Sequence, residues 1–405
     1  MTVRRWSTWA GATVLALGGM TACGDDGGDS GGDGGGESEA GFTAPDIDMK
    51  EELGDMEGEI NILAWPGYAE DGSTDKAYDW VTPFEDETGC QATVKTFNTS
   101  DEAVYLMKSG EYDVVSASGD ASLRLIASGD VAPVNTDLLE NYADIQPFLK
   151  DRAWNSVDGQ MYGMPHGWGA NLLMWRTDVV KDAPTSWSSV FEADSPYAGK
   201  ITAYDSPIYI ADAALYLMNT QPDLGIENPY ALDADQLAAA VDVLKTQKEQ
   251  VGEYWSDYLK TVQSFTSGDS VLGTTWQLNV GLLEAEKVPV EAILPDEGST
   301  AWIDTWMVAA DSPNSNCAYA WMDWIGGPEA NAQVAEYFGE APANAKACDN
   351  TSDKGFCDTY HAADADYAEK LWYWTTPIEQ CLDGRTDATC TDYGDWTQAW
   401  TEVKG

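Results

Sequence analysis

The chain has 405 residues, 43% of them hydrophobic, with 69 acidic against 21 basic side chains and a formal net charge of -48. The apolar content excludes a disordered chain, and the charge excludes nucleic acid as a partner, because phosphate neutralisation needs lysine and arginine. A cation is the natural small partner of such a field, although a salt-adapted or merely soluble surface has the same composition.

Arg4 and Arg5 precede an apolar stretch from Trp6 to Leu17, and Met20-Thr21-Ala22-Cys23 follows. A charged start, an apolar middle and a small-residue cleavage site predict an export signal rather than a spanning helix. Small residues leading into a cysteine resemble the lipobox of bacterial lipoproteins. The resemblance implies that residues 1–23 are a signal and that Cys23 becomes a lipidated N-terminus; an ordinary signal cut nearby is the alternative. Residues 24–58 read as a tether, Gly/Asp-rich at first and flexible. About 345 residues remain, near two domains by length. No stretch after Cys23 could span a bilayer, so the expected location is extracytoplasmic, at the cell surface or in the periplasm, with membrane contact through lipid alone.

The globular part opens at Glu59–Trp65, a strand by alternation and β-branching, and Trp65-Pro66-Gly67-Tyr68 turns at its end. A helix from Ala77 to Thr88 stops at Gly89, and 91–97 is a second strand. Ser100 or Asp101 caps a helix to Lys108, which Gly110 ends. Tyr112–Ser116 is a third strand. This alternation predicts a parallel βαβ sheet. A second unit begins with Gly163–Asn171 leading into a strand at Leu172–Trp175. Lys200–Tyr204 is another strand, followed by an Asp205-Ser206-Pro207 turn. Asp233 and Gln236 form a capping box for a helix over Ala234–Lys245. Val271–Trp276 and Ala301–Ala309 read as strands, and Ala318–Ile325 as a helix. No internal repeat is present.

Setting aside Cys23, six cysteines remain, an even number that suits an oxidising compartment. Cys348 and Cys357 bracket one polar loop, and Cys381 and Cys390 bracket another. Proximity pairs each within itself and leaves Cys90 with Cys317. A zinc site is the competing reading. It lacks Cys-x-x-Cys pairs, and the chain has two histidines, His166 and His361. Both read as structural or surface groups, and no metal or cofactor is expected.

Unusual residues gather at the ends of the predicted strands, where open α/β sheets bind ligands. Trp65 and Tyr68 follow the first strand, Ser118 and Asp120 the third. Asp205 and Tyr209 follow a strand of the second unit, Trp276 ends another, and Trp302 and Asp304 sit in the returning strand. Tryptophan faces attract cations, and a carboxylate fixes an ammonium. Trp80, Trp187, Trp321 and Trp324 read as core, and stacked tryptophans would also suit a sugar.

These residues, with Glu87-Thr88-Gly89, Gly110–Val115, Pro165-x-x-Trp168-Gly169-Ala170 and a late Trp374, resemble the periplasmic spermidine/putrescine-binding proteins of ATP-driven importers. The likeness covers nearly all of the chain after residue 58. It implies that Trp65, Tyr68, Ser118, Trp276, Trp302 and Asp304 line an amine site, with Trp374 mapping to the family's late aromatic. Spermidine binders carry two acids where this chain has Ser206 and Tyr209, and a tyrosine where it has Asp120. Gly67 replaces an acid or polar residue. One end of the site is therefore rebuilt.

The resemblance implies a two-lobed α/β periplasmic-binding-protein fold, type II, with the ligand cleft between lobes. One lobe is expected at 59–168 plus 303–350, the other at 169–302 plus 351–405. The expected function is capture of a putrescine- or spermidine-like amine and delivery to a transmembrane permease, with no catalysis. A binder of sugars or other small solutes is the alternative. A secreted glycosidase ranks below both, since it would need two acids about 5–10 Å apart across a sugar-sized cleft.

Overall fold

The computed structural model describes residues 43–405. The expected signal, Cys23 and the first part of the tether lie outside the described residues. Strand Glu59–Ala64 forms because Ile60 and Ile62 alternate into a core, with Leu63 buried on the other face. It pairs in parallel with Gln91–Thr96 and with Val114–Ser118. Helices supply the crossovers that parallel pairing requires. Helix Val81–Thr88 ends at Gly89, whose φ of 77° is a left-handed cap that a side chain would strain. Helix Ser100–Met107 is capped by Thr99, which accepts from the Glu102 N–H. The cap thus sits one residue before Ser100, and the third strand two residues beyond its predicted start.

The first sheet is mixed. Its order is Ala341–Pro342, Met164–Ala170, Ser299–Val308, Val114–Ser118, Glu59–Ala64, Gln91–Thr96, and Leu371–Tyr373 also pairs with Ser299–Val308. Ser299–Val308 runs antiparallel to both long neighbours, and all ten of its residues are buried. The second sheet has the order Val290–Ile293, Leu172–Arg176, Leu272–Thr275, Ile201–Tyr204, Val251–Trp255. Helix Ala234–Lys248 packs beside it and carries the expected capping box, Asp233 with Gln236.

The segment read as a lead-in at 163–171 is itself a strand, Met164–Ala170. Its glycines disguised it, because glycine is poor in strands unless another group approaches closely. The lobe boundaries also move. Residues 299–302 belong to the same ladder as Asp304, and a ladder cannot be split in mid-strand. Leu371–Tyr373 pairs with Ser299–Ala301, and Ala362, Leu371 and Tyr373 pack in the first core. The first lobe therefore takes 299–302 and 351–373 as well, and Trp374 is where the chain rejoins the second core. The sheets exchange the chain at Asn171. Its amide N–H bonds Thr300 O at 2.9 Å and its carbonyl accepts from Ser299 Oγ at 2.5 Å.

Trp80, Trp187 and Trp321 are fully buried as expected, while Trp324 is partly exposed and donates its indole N–H to Trp80 O. His166 is buried and His361 is half-buried, its ring stacked on Tyr367. Among the described residues, no helix is long and apolar enough to cross a membrane.

All three disulfides pair as the spacing predicted: Cys90–Cys317, Cys348–Cys357 and Cys381–Cys390. The first joins positions 227 apart in sequence, and both cysteines are fully buried. Loop-closure entropy then predicts that Cys90→Ala/Cys317→Ala lowers stability by about 2–5 kcal/mol. The Cys381→Ala/Cys390→Ala loss should be smaller. Urea denaturation of the two double variants checks this, and a larger loss for the short loop contradicts it.

Candidate functional site

The first sheet delivers Trp65 and Ser118 at the carboxyl ends of parallel strands. Asp304 lies directly opposite Ser118 in the antiparallel neighbour, so both emerge at one level. The second sheet delivers Asp205 and Trp276 just beyond the ends of its parallel strands. Between the sheets lies a cavity of about 380 Å³. Eight of the ten expected residues line it: Trp65, Ser118, Asp120 and Asp205, with Trp276, Trp302, Asp304 and Trp374.

Asp304 is 4% exposed. The Trp65 indole donates to Ser118 Oγ at 3.1 Å, and the Ser118 hydroxyl donates to Asp304 Oδ1 at 2.5 Å. Tyr68 Oη lies 2.6 Å from Asp304 Oδ2. Burial pushes the Asp304 carboxyl up to about 7; the Ser118 and Tyr68 hydrogen bonds oppose the rise and the charge of Asp120 adds to it. Tyr68 is fully buried and does not line the cavity. It stands behind Asp304 and reaches the cavity only through that carboxylate.

Aromatic rings form the walls. Trp276 and Trp302 lie 5.9 Å apart at 59°, and Tyr204 stacks on Trp374 at 5.5 Å and 26°. Trp276 is fixed by its indole N–H to Asn171 Oδ1 at 2.8 Å. Two glycines make the room. A Cβ on Gly169 would meet the Trp302 indole at 2.6 Å, and one on Gly119 would meet Trp374 O at 1.8 Å.

Asp120 is buried in the first turn of helix Gly119–Ser128, two residues beyond Ser118. Ser100 donates to its Oδ1 at 2.8 Å, and Tyr393 lies 3.5 Å from its Oδ2. Burial raises this carboxyl to about 6, against the Ser100 hydrogen bond and the charge of Arg124. Asp205 is answered within the protein, by Lys404 Nζ at 3.0 Å and the Trp400 indole at 3.2 Å. Tyr209 does not reach the cavity. Pro207 starts a short turn, Pro207–Tyr209, that carries the ring into the second core, where Gln247 donates to its hydroxyl.

Sequence reasoning missed several lining residues. Tyr204 is the last residue of strand Ile201–Tyr204, so the strand-end rule could have found it. Phe338, Asp257 and Tyr393 arrive from distant elements, which no local pattern signals. Among the described residues the lining includes five aspartates (Asp101, Asp120, Asp205, Asp257 and Asp304) and no lysine, arginine or histidine. A buried carboxylate between tryptophan faces is chemically suited to a compact organic cation, and among the described residues nothing in the lining offers a counter-charge to an anion.

The model of the bacterial extracellular solute-binding protein family matches residues 79–356. The chain is 23% identical over 293 residues to "Spermidine/putrescine-binding periplasmic protein 1" of Haemophilus influenzae, covering 71% of this chain and 76% of that protein. It is 23% identical over 362 residues to the "Putrescine-binding periplasmic protein PotF" of Escherichia coli, covering 85% and 91%. The solved structure of a putative spermidine/putrescine ABC transporter from Listeria monocytogenes superposes with a TM-score of 0.69 at 20% identity, over 86% of this chain and 99% of that one. That likeness shows the two-lobed periplasmic-binding-protein fold.

The tight Gly169–Trp302 contact yields a test of the aromatic wall. Gly169→Ala must displace the Trp302 ring, and overpacking typically costs about 1–3 kcal/mol. Denaturation should show that loss together with a changed tryptophan emission. An unchanged emission and midpoint would mean that the wall is loosely packed.

Proposed function

The chain belongs to the bacterial extracellular solute-binding protein family, and we propose that it captures a putrescine- or spermidine-like cationic amine between its two lobes and delivers it to the permease of an ATP-driven importer. The observation that carries this reading is Asp304, a buried carboxylate inside a tryptophan-walled cleft without a basic lining residue. One ammonium sits against Asp304 Oδ1 and Oδ2, with its methylene chain along Trp302, Trp276 and Trp65. Asp120 holds the second ammonium at the rebuilt end. Asp205 contributes less, since Lys404 already answers its charge. Tyr209 drops out of the site.

Binding brings the lobes together about the Asn171 crossing, a hinge closure. No covalent step is required, and the protein acts as a binder rather than an enzyme. The names of the relatives support capture of polyamines, and the absence of lining cations disfavours an anionic solute. Lipid on Cys23 anchors the protein outside the cytoplasm; Cys23→Ala should move it from the membrane to the soluble fraction.

Calorimetry against putrescine, spermidine, monoamines, amino acids and oligosaccharides tests the ligand class. Removing a carboxylate buried against an ammonium typically costs about 2–5 kcal/mol, so Asp304→Asn should weaken amine binding roughly 30-fold or more. Trp302→Ala should also weaken it. Binding of a neutral sugar that ignores Asp304→Asn overturns the amine reading. Asp120→Ala should harm a diamine more than a monoamine of equal length, and equal losses remove Asp120 from the site.

The amine needs ionised Asp304, and burial pushes that carboxyl up to about 7 in the free protein. Affinity for a monoamine should therefore be flat above that pH and fall as pH drops through it, approaching about tenfold per unit, and for a diamine the fall should steepen below about 6 as Asp120 also takes a proton. An affinity constant from pH 5 to 8 would mean that Asp304 does not meet the cation.

A further inference from the structure

Tyr68 Oη lies 2.6 Å from Asp304 Oδ2 and 2.6 Å from Glu340 Oε2. A phenol has one proton and donates once. Two ionised carboxylates cannot both make a hydrogen bond to it, so the pair must hold a further proton. We infer that Glu340 is a neutral carboxylic acid that donates to Tyr68 and so commits the Tyr68 proton to Asp304, making it a positioning residue for the cation pole.

The donor inventory decides which acid keeps the proton. The Trp65 indole can only donate, so it occupies an acceptor position of Ser118 and leaves the Ser118 proton for Asp304 Oδ1. With Tyr68 donating to Oδ2, each Asp304 oxygen has a donor and the carboxylate can stay ionised. Glu340 has no such support. It is fully buried, and among the described residues its Oε1 has no hydrogen-bond partner. An ionised, unpaired carboxylate there would carry an uncompensated desolvation penalty.

The groups around Glu340 offer no positive charge. From the turn after the first strand comes Tyr68; from Met164–Ala170 comes His166; from Ser299–Val308 comes Asp304; and Tyr360 packs from the loop beside Gly339. His166 Nε2 is 3.6 Å from Glu340 Oε1, too far for a tight ion pair. The Asn331 amide nitrogen faces His166 Nδ1 at 3.4 Å, which assigns the ring proton to Nε2. Burial alone pushes that imidazole down to about 3 and keeps it neutral. Burial pushes the Tyr360 phenol up, so it too stays neutral. Burial likewise holds the Glu340 carboxyl well above the ordinary range; the Tyr68 bond opposes this and the Asp304 charge adds to it.

The fold makes a place for this acid. Gly167 lies in mid-strand opposite Asp304, and a Cβ there would come within 2.2–2.4 Å of the Glu340 carboxyl group. Gly339 ends helix Pro328–Phe338 with φ at 90°, immediately before Glu340. The consequence is a pole of one negative charge rather than two. That matches one ammonium and disfavours a divalent metal ion. The protonation state follows from geometry, while its use in cation capture rests on the amine reading.

Two measurements separate these claims. In ligand-free protein at about pH 8, above the ordinary carboxyl range, infrared difference spectra of wild type against Glu340→Gln should show the carbonyl band of a protonated carboxylic acid, shifting in deuterated water. On titration to about pH 9 that band should persist in wild type and in Asp212→Asn, which removes another buried carboxyl that burial raises to about 8. Loss of the band by about pH 8 in wild type overturns the inference. In calorimetry with putrescine, Glu340→Gln, whose amide also donates to Tyr68, should bind within about threefold of wild type. Glu340→Leu and Tyr68→Phe should lose roughly tenfold or more. If Glu340→Gln loses as much as Glu340→Leu, the side chain works as a carboxylate and the inference fails. If wild type ignores putrescine, the amine reading fails while the infrared result still decides the proton.

Discussion

A carboxylate kept out of water is the constraint around which this structure is arranged. Asp304 can stay ionised only if hydrogen bonds replace its lost hydration. Strand Ser299–Val308 makes that possible because it lies between two antiparallel neighbours and is buried along its whole length. Side chains alternate along a strand, so Trp302, Asp304 and Trp306 share a face. Trp302 closes the cavity on one side of the acid. Trp306 lies 5.7 Å from His166 and 6.4 Å from Tyr68, in the dry layer behind it. The ladder to Met164–Ala170 shifts register between Asp304 and Thr305. Bulges of this kind re-aim side chains beside functional sites.

The same strand couples the two lobes. Asn171 joins the first sheet to the second, and its side chain donates to Thr300 Oγ1 at 2.6 Å while accepting from the Trp276 indole. A wall of the cavity that belongs to the second lobe is thus tied, through one amide, to the strand that carries Asp304. Under the proposed function, a shift of Trp276 against a ligand acts directly on the crossing about which the lobes close. The rings would be a mobile wall without this anchor, and a platform for a cation needs a fixed distance to its carboxylate.

Much of this was legible in the sequence because it rests on local rules. Alternation gave the first strands, Gly89 the end of a helix, and Asp233 with Gln236 a capping box. The cysteines lay close enough in sequence for two pairs to be read by proximity. What stayed hidden is non-local. Strand Met164–Ala170 looks like a loop until Trp302 and Glu340 explain its glycines. Tyr209 falls where the resembled family carries an acid, and sequence register does not show that a proline turn carries it into the second core. Glu340 follows a helix and a glycine, an unremarkable context in one dimension. Only the meeting of three elements at Tyr68 gives it a role. The lobe boundary moved for the same reason, since Leu371–Tyr373 returns to pair with Ser299–Ala301.

The acidity of the chain and the acidity of the cleft are separate matters. A net charge of -48 spreads over the whole sequence and acts on solutes at long range, raising the encounter rate of cations and fading with salt. It cannot select among cations. Selection needs a carboxylate whose hydration has already been replaced by fixed donors, because only then does a bound ammonium meet a strong, unscreened partner. Asp205 shows the difference within one cavity. It lines the cleft as Asp304 does, yet Lys404 and Trp400 already hold it, so it adds little net charge there. Asp304 receives neutral donors and no cation from the protein. That asymmetry, rather than the count of acids, sets Asp304 apart from Asp205 as a carboxylate left for an ammonium under the proposed function.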